Sequence, residues 1–187
     1  MNARPGWNRL FPPLICALLL MTLGAAVPLH AETAPVPRVS LLPNREYAEA
    51  LLSGIRSARS SIVCSFYLFK TGEGRNNLPR RIAEELIRAR RRGVDVSVAL
   101  EKSGEPDDRL NDDNRRTASM LTGGGVKVRF DSPVTISHQK VVVIDRRQVY
   151  LGSHNLTQAA LLHNNELSVR IDSPEIAVQI LSYLENE

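Results

Sequence analysis

Four polar side chains within eighteen residues, His138, Lys140, Ser153 and Asn155, are of the types that handle a phosphodiester. A neutral imidazole can attack phosphorus, an ammonium can neutralise the phosphoryl oxygens, and a hydroxyl and a carboxamide can donate further hydrogen bonds. Their spacing suggests how they meet. Val141 to Ile144 is a continuous apolar run, as in a strand buried on both faces, and Asp145-Arg146-Arg147-Gln148 is a polar interruption of hairpin-turn length. With Arg146 and Arg147 as a two-residue turn, Ser153 falls opposite Lys140 and Asn155 opposite His138. Strand side chains repeat every second residue, so all four would project from one face, with cross-strand neighbours ~5 Å apart. The same parity turns Asp145 to the other face, and a turn one residue longer breaks the register. Thr157 can cap a short helix through Leu162, whose first amides would lie near Asn155. Glu166, eleven residues past Asn155 at the start of the next strand, can accept a proton from the second imidazole nitrogen and fix its tautomer.

His138-Gln139-Lys140, four residues, Asp145, six residues, then Gly152-Ser153-His154-Asn155 resembles the motif of the phospholipase D superfamily. The likeness extends from about Ser61 to Ile171, including Ser65 to Phe69 and Arg92 to Val96. It is greatest to the small bacterial single-motif nucleases of that superfamily. The resemblance implies a metal-independent phosphodiesterase working through a phosphohistidine intermediate. In it His138 is the nucleophile, Lys140 and Asn155 hold the phosphate, Ser153 is a supporting donor, Glu166 orients His138, and Asp145 mainly supports the motif. Family members need two motif histidines, one attacking while the other protonates the leaving oxygen, whereas this chain carries one motif. A homodimer with the site on its twofold axis follows, its two histidines titrating as a coupled pair that shares one proton. The motif leaves the substrate open between a phospholipid headgroup ester and a nucleic-acid backbone. A dedicated sequence-nonspecific endonuclease is one alternative, and a catalytically silent exported binding domain that keeps the fold is another.

Other polar features carry less. His154 and His163 match no standard zinc spacing and read as surface or supporting residues; with Lys140 supplying positive charge, neither metal nor other cofactor is expected. His154 fills a variable motif position that can bear on substrate contact. Arg88 and Arg90 to Arg92 can track phosphates, but Glu84 lies four residues before Arg88, which favours a solvated helix face.

These side chains need a scaffold, and the pattern supplies one. After a Pro-marked linker and a short strand from Arg38 to Leu42, the residues Tyr47, Leu51, Ile55 and Ala58 recur at helical spacing. A β-rich run from Ser61 to Leu68 follows. A second helix fits Leu78 to Arg92, capped by Asn77 and stopped by Gly93, and leads into a strand from Val94 to Leu100. Lys102 to Asn114 reads as a polar surface loop, before a short helix to Leu121 and a strand from Val126 to Phe130. Strands Ser137–Ile144, Gln148–Ser153 and Asn165–Ile171 precede a last helix capped by Ser173. Helices alternating with several strands predict an α/β fold, a layered sandwich with a mixed β-sheet flanked by helices.

Composition agrees with one ordinary globular domain: 187 residues, 43% hydrophobic and 24% charged. A net charge of +4 permits an anionic substrate without requiring one, and 5% aromatics is too few for a base-stacking platform. Arg4 and Arg9 ahead of the apolar run Leu14 to Val27 read as a signal peptide over residues 1–31, cut after Ala31, with a cut after Ala26 or an uncleaved anchor left open. The expected organisation is therefore leader, then linker and first strand over 32–43, then a catalytic domain over 44–187, in a periplasmic or secreted protein. Without the leader, 22 basic residues face 20 acidic ones, and Cys64 is the remaining cysteine, a small hydrophobe with no disulfide partner.

Overall fold

Tyr47, Leu51 and Ile55 mark the buried stripe of a helix, as their spacing requires, and that stripe lies on one face of a seven-stranded sheet. The computed structural model describes residues 36–186 apart from 75 and 106; the segment expected to be a signal peptide falls outside them. In chain order the elements are β1 (Arg38–Pro43), α1 (Glu46–Ser57), β2 (Ser61–Phe66), α2 (Leu78–Arg91), β3 (Asp95–Leu100), α3 (Arg109–Gly123), β4 (Lys127–Phe130), β5 (Lys140–Ile144), β6 (Gln148–Gly152), α4 (Gln158–Leu162), β7 (Leu167–Asp172) and α5 (Pro174–Glu185). The strand order is β1-β7-β6-β5-β2-β3-β4. β2, β3 and β4 run parallel, and the remaining pairs are antiparallel. This is the mixed, helix-flanked α/β sheet that the pattern of elements predicts.

The apolar run of β5 divides between two cores. Val142 and Ile144 join the larger cluster beneath α1, α2 and α3, while Val141 and Val143 pack with Ala177, Leu181 and Leu184 of α5. Continuous hydrophobicity is thus what a strand covered on both faces needs. Local signals set the helix ends: Asn77 Oδ1 accepts the Arg80 N–H (2.9 Å), Ser173 Oγ accepts the Ile176 N–H (3.3 Å), and Gly93 takes the left-handed conformation after α2 (φ 94°).

Two expectations are corrected. The polar segment after β3 is a surface loop only as far as Asp108, which caps α3 through the Leu110 N–H (2.9 Å). Asn111, Asn114 and Thr117 are polar yet buried, forming an inward stripe that hydrophobic periodicity does not register. The β5–β6 turn is also longer than two residues. Val141 pairs with Leu151 and Ile144 with Gln148, leaving Asp145, Arg146 and Arg147 outside the ladder. Asp145 and Arg146 both adopt positive φ (52° and 53°). The register therefore slips by one, which reverses the facing of every β6 side chain relative to β5.

Candidate active site

With the observed register, Lys140 shares its face with Val142 and Ile144, whereas Ser153 continues the opposite face carrying Val149 and Leu151. The one-face convergence of four side chains expected from a two-residue turn does not occur. β5 begins at Lys140 and β6 ends at Gly152, so His138, Ser153 and Asn155 all lie at one end of the sheet where the chain has left the ladder.

The segment after β2 organises that end. Tyr67 N donates to Gln139 O (2.8 Å), Leu156 N donates to Leu68 O (3.0 Å) and Lys70 N donates to Leu156 O (2.9 Å), clamping the stretches that carry His138 and Asn155 to one short strip of chain. Asn114 of α3 holds the strip from within: its Oδ1 accepts Phe69 N–H (2.9 Å), and its Nδ2 donates to Tyr67 O and Glu101 O (both 2.9 Å). Thr117 Oγ1 donates to Phe69 O.

His138 is exposed, its ring edge-on to Tyr67 with centroids 4.5 Å apart. Lys140 is buried; its Nζ donates to His138 O (2.8 Å) and lies 5.1 Å from the Tyr67 ring centroid, a cation–π contact. Burial pushes the Lys140 ammonium below its ordinary value, and the nearby Glu166 carboxylate pulls it back up. An exposed imidazole beside a partly desolvated cation is an arrangement that can present a nucleophile to an anionic centre.

Ser153 and Glu166 form a second unit. Ser153 Oγ donates to Glu166 Oε2 and accepts Leu167 N–H (3.1 Å), and Asn164 Nδ2 donates to Glu166 Oε1 (3.0 Å). A Cβ on Gly152 would sit 2.4 Å from Ser168 Cα, so only glycine permits β6 and β7 to approach this closely beside Ser153. Among the described residues, Glu166 takes no hydrogen bond from His138. Within the single chain its carboxylate accepts from Ser153 and Asn164 and acts on Lys140. Asn155 Oδ1 is buried with no partner among the described residues.

Asp145 lies at the other end of β5, about 17 Å away at ~3.3 Å per residue. Its carboxylate accepts the N–H groups of Arg59 (2.9 Å), Ser60 (2.7 Å) and Ser61 (3.0 Å), tying the turn to the start of β2. Burial raises its pKa, but these bonds outweigh burial and hold it below the ordinary value. Geometry thus gives Asp145 a supporting place, outside any direct chemistry.

His154 is neither at the surface nor in reach of a substrate. It is fully buried, stacked on Tyr47 with centroids 4.4 Å apart and planes 9° apart. Nε2 donates to Asn44 O (2.9 Å), and Nδ1 shares a hydrogen bond with Ser168 Oγ (2.7 Å), a hydroxyl that can donate to a neutral ring. Burial holds its pKa down, against the Asn44 carbonyl and Glu166. His163 is exposed. Arg88 pairs with Glu85 (2.8 Å), Arg90 donates to Gly125 O (3.0 Å) and Arg92 to Ile55 O (2.9 Å), so these cations are held at the end of the sheet away from His138. Burial pushes the Cys64 thiol up to about 12, as expected of an inert core thiol. Among the described residues no three His, Cys, Asp or Glu side chains converge as metal ligands.

A family model described as "Cardiolipin synthase, PLD-like domain" matches residues 51–187. The chain belongs to the phospholipase D-like family. It is 35% identical over 107 residues to a phospholipase D of Rickettsia felis, covering 56% of this chain and 48% of that protein. It is 31% identical over 148 residues to the virion nicking-joining enzyme of monkeypox virus, covering 75% of this chain and 32% of that protein. The chain thus spans half or less of the length of these curated relatives. The solved structure of Nuc from Salmonella typhimurium, described as a phospholipase D family member, superposes with a TM-score of 0.67 at 29% identity, covering 80% of this chain and 93% of that one. NucT from Helicobacter pylori shares the fold, with a TM-score of 0.61 at 24% identity.

The sequence reading missed Tyr67, Asn114 and Glu101. In the sequence Tyr67 is one apolar residue among several in the stretch Ser65 to Phe69, and Asn114 falls in the polar segment that reads as a loop. Glu101 had one signal, an acid placed directly after an apolar strand on the side where the site lies.

Proposed function

We propose that this chain is a phosphodiesterase of the phospholipase D type that forms a covalent bond between His138 and phosphorus. The observation that carries the reading is the exposed His138 imidazole next to the buried Lys140 ammonium, at the end of β5 and within a complete family motif. In the first step an imidazole nitrogen of His138 bonds to phosphorus as the ester bond to the leaving alcohol breaks, and the alcohol oxygen takes a proton from the partner's His138. In the second step water adds to phosphorus and gives its proton to the partner's His138, while the P–N bond breaks to release a phosphomonoester. Lys140 and Asn155 hold the phosphoryl oxygens. No metal enters either step, because Lys140 supplies the compensating charge.

The reading needs two copies, and one face of the sheet suits that need. Val39, Leu41, Leu151 and Leu167 share the face on which α5 sits but are not covered by it, and Leu41 and Leu167 are 66% and 55% exposed. Leu167 adjoins Glu166 and Leu151 lies two residues before Ser153, so this bare aliphatic strip reaches the site. This strip is the surface assigned to the second copy, with the site near its edge. Residues 1–31 export the protein.

The resemblance of the single motif to those of the small bacterial nucleases of the superfamily favours a nucleic-acid substrate. A second reading, cleavage of phospholipids, is favoured by Val134 and Ile136, which are 89% and 71% exposed on the loop that leads to His138 and form an apolar lip. The deciding experiment offers the purified protein plasmid DNA and phosphatidylcholine vesicles in parallel, with EDTA present, alongside His138→Ala, and measures the mass of the active species by sedimentation. Cleavage of either substrate by a wild-type dimer, absent in the variant, supports the reading; equal cleavage by His138→Ala, or none by either protein, contradicts it.

A further inference from the structure

Glu101 is a buried carboxylate that the family motif does not include. It directly follows β3, where its N–H donates to Phe66 O (3.2 Å) and its carbonyl accepts from Asn114 Nδ2 (2.9 Å), fixing the backbone on both sides. The side chain is 1% exposed, and Oε2 accepts the N–H of Ser137 at 2.7 Å, one residue before His138. A carboxylate accepting a short backbone bond in a dry site is a firm anchor. Burial pushes the Glu101 carboxyl up, the Ser137 amide pulls it down, Asp131 pushes up again and His138 pulls down. Asp131, just past β4, is already engaged by Arg129.

We propose that Glu101 is the positioning residue of His138: by accepting the Ser137 N–H inside a dry pocket it fixes the segment that carries the imidazole and so sets where the ring stands. The role in turnover rests on the phosphodiesterase reading; the anchoring of the Ser137–His138 segment does not.

Glu101→Gln keeps an oxygen that can accept from Ser137 N–H, whereas Glu101→Met, of similar length, removes it. Hydrogen exchange of the Ser137 and His138 amides, read by peptide mass spectrometry, reports the anchor without any substrate. It is expected to quicken about tenfold in Glu101→Met and to stay within about twofold of wild type in Glu101→Gln. Should Glu101→Met not fold, Ser137→Pro, which removes the donor instead, takes its place. Unchanged exchange in the variant lacking the bond, or an equal rise in Glu101→Gln, overturns the proposal. In turnover, Glu101→Met is expected to lower kcat about tenfold at an unchanged KM, with most of the loss rescued in Glu101→Gln. Wild-type kcat in Glu101→Met, or an equal loss in both variants, overturns the positioning role. If exchange moves while no protein cleaves any phosphodiester, the phosphodiesterase reading fails and the anchor stands.

Discussion

Replacing Asn114 by Leu keeps nearly the same side-chain volume and removes one amide that serves three backbone groups: Phe69 N–H, Tyr67 O and Glu101 O. Asn114 is fully buried, so water cannot take over these bonds without opening the end of the sheet. Each orphaned buried group costs about 1–3 kcal/mol, and burying the added apolar surface offsets about 1 kcal/mol. With each of the three groups near the lower end of that range, the expected net loss is about 3 kcal/mol. For a domain of this size, ~2–4 °C of melting temperature per kcal/mol puts the fall in Tm at roughly 6–12 °C. Urea unfolding followed by circular dichroism measures the loss directly. Because the same amide holds the strip carrying Tyr67, the folded variant should also show faster exchange of the Tyr67 and Phe69 amides. A loss below about 1 kcal/mol with unchanged exchange would refute the claim that this buried amide positions the site.

Asp145→Asn should cost about 2 kcal/mol at pH 7, since the amide cannot accept all the bonds from Arg59, Ser60 and Ser61. The folded carboxyl has a lowered pKa, so its contribution is present above the ordinary carboxylate value of about 3.9 and is lost as pH falls through the lower folded value; urea midpoints of variant and wild type should converge progressively on that acid side. His154 has the opposite dependence. Its folded pKa is lowered, so below about pH 6.5 the unfolded chain takes up a proton that the folded ring refuses, and stability falls with further acidification. Urea midpoints at pH 7.5 and 5 should reveal this decline in wild type and a smaller one in His154→Gln.

The main architecture was legible because its signals are local and periodic. The Asn77 and Ser173 caps, the Tyr47–Leu51–Ile55 stripe and the apolar run of β5 each need only a few neighbouring residues to be read. The site was less legible, because it depends on one turn residue and on contacts between distant segments. Two residues with positive φ in the β5–β6 turn, Asp145 and Arg146, shift the register by one and move Ser153 off the face of Lys140. Nothing in the composition of Asp145-Arg146-Arg147 distinguishes a two-residue from a three-residue loop. The buried roles of Asn114, Glu101 and His154 were hidden for a related reason. A polar residue reads as exposed until its partners are known, and those partners are backbone atoms or rings brought from 13 to 110 residues away.

The central claim is a bond between one histidine and the phosphorus of the substrate. Rapid acid-free quenching during turnover of the cleaved substrate, followed by mass spectrometry of the peptide spanning His138, tests it most directly. The account predicts a substrate-derived phosphoryl adduct on His138 that is lost in acid and absent from His138→Asn. Turnover with the adduct on another residue, or with none at saturating substrate while His138→Asn remains active, would contradict it.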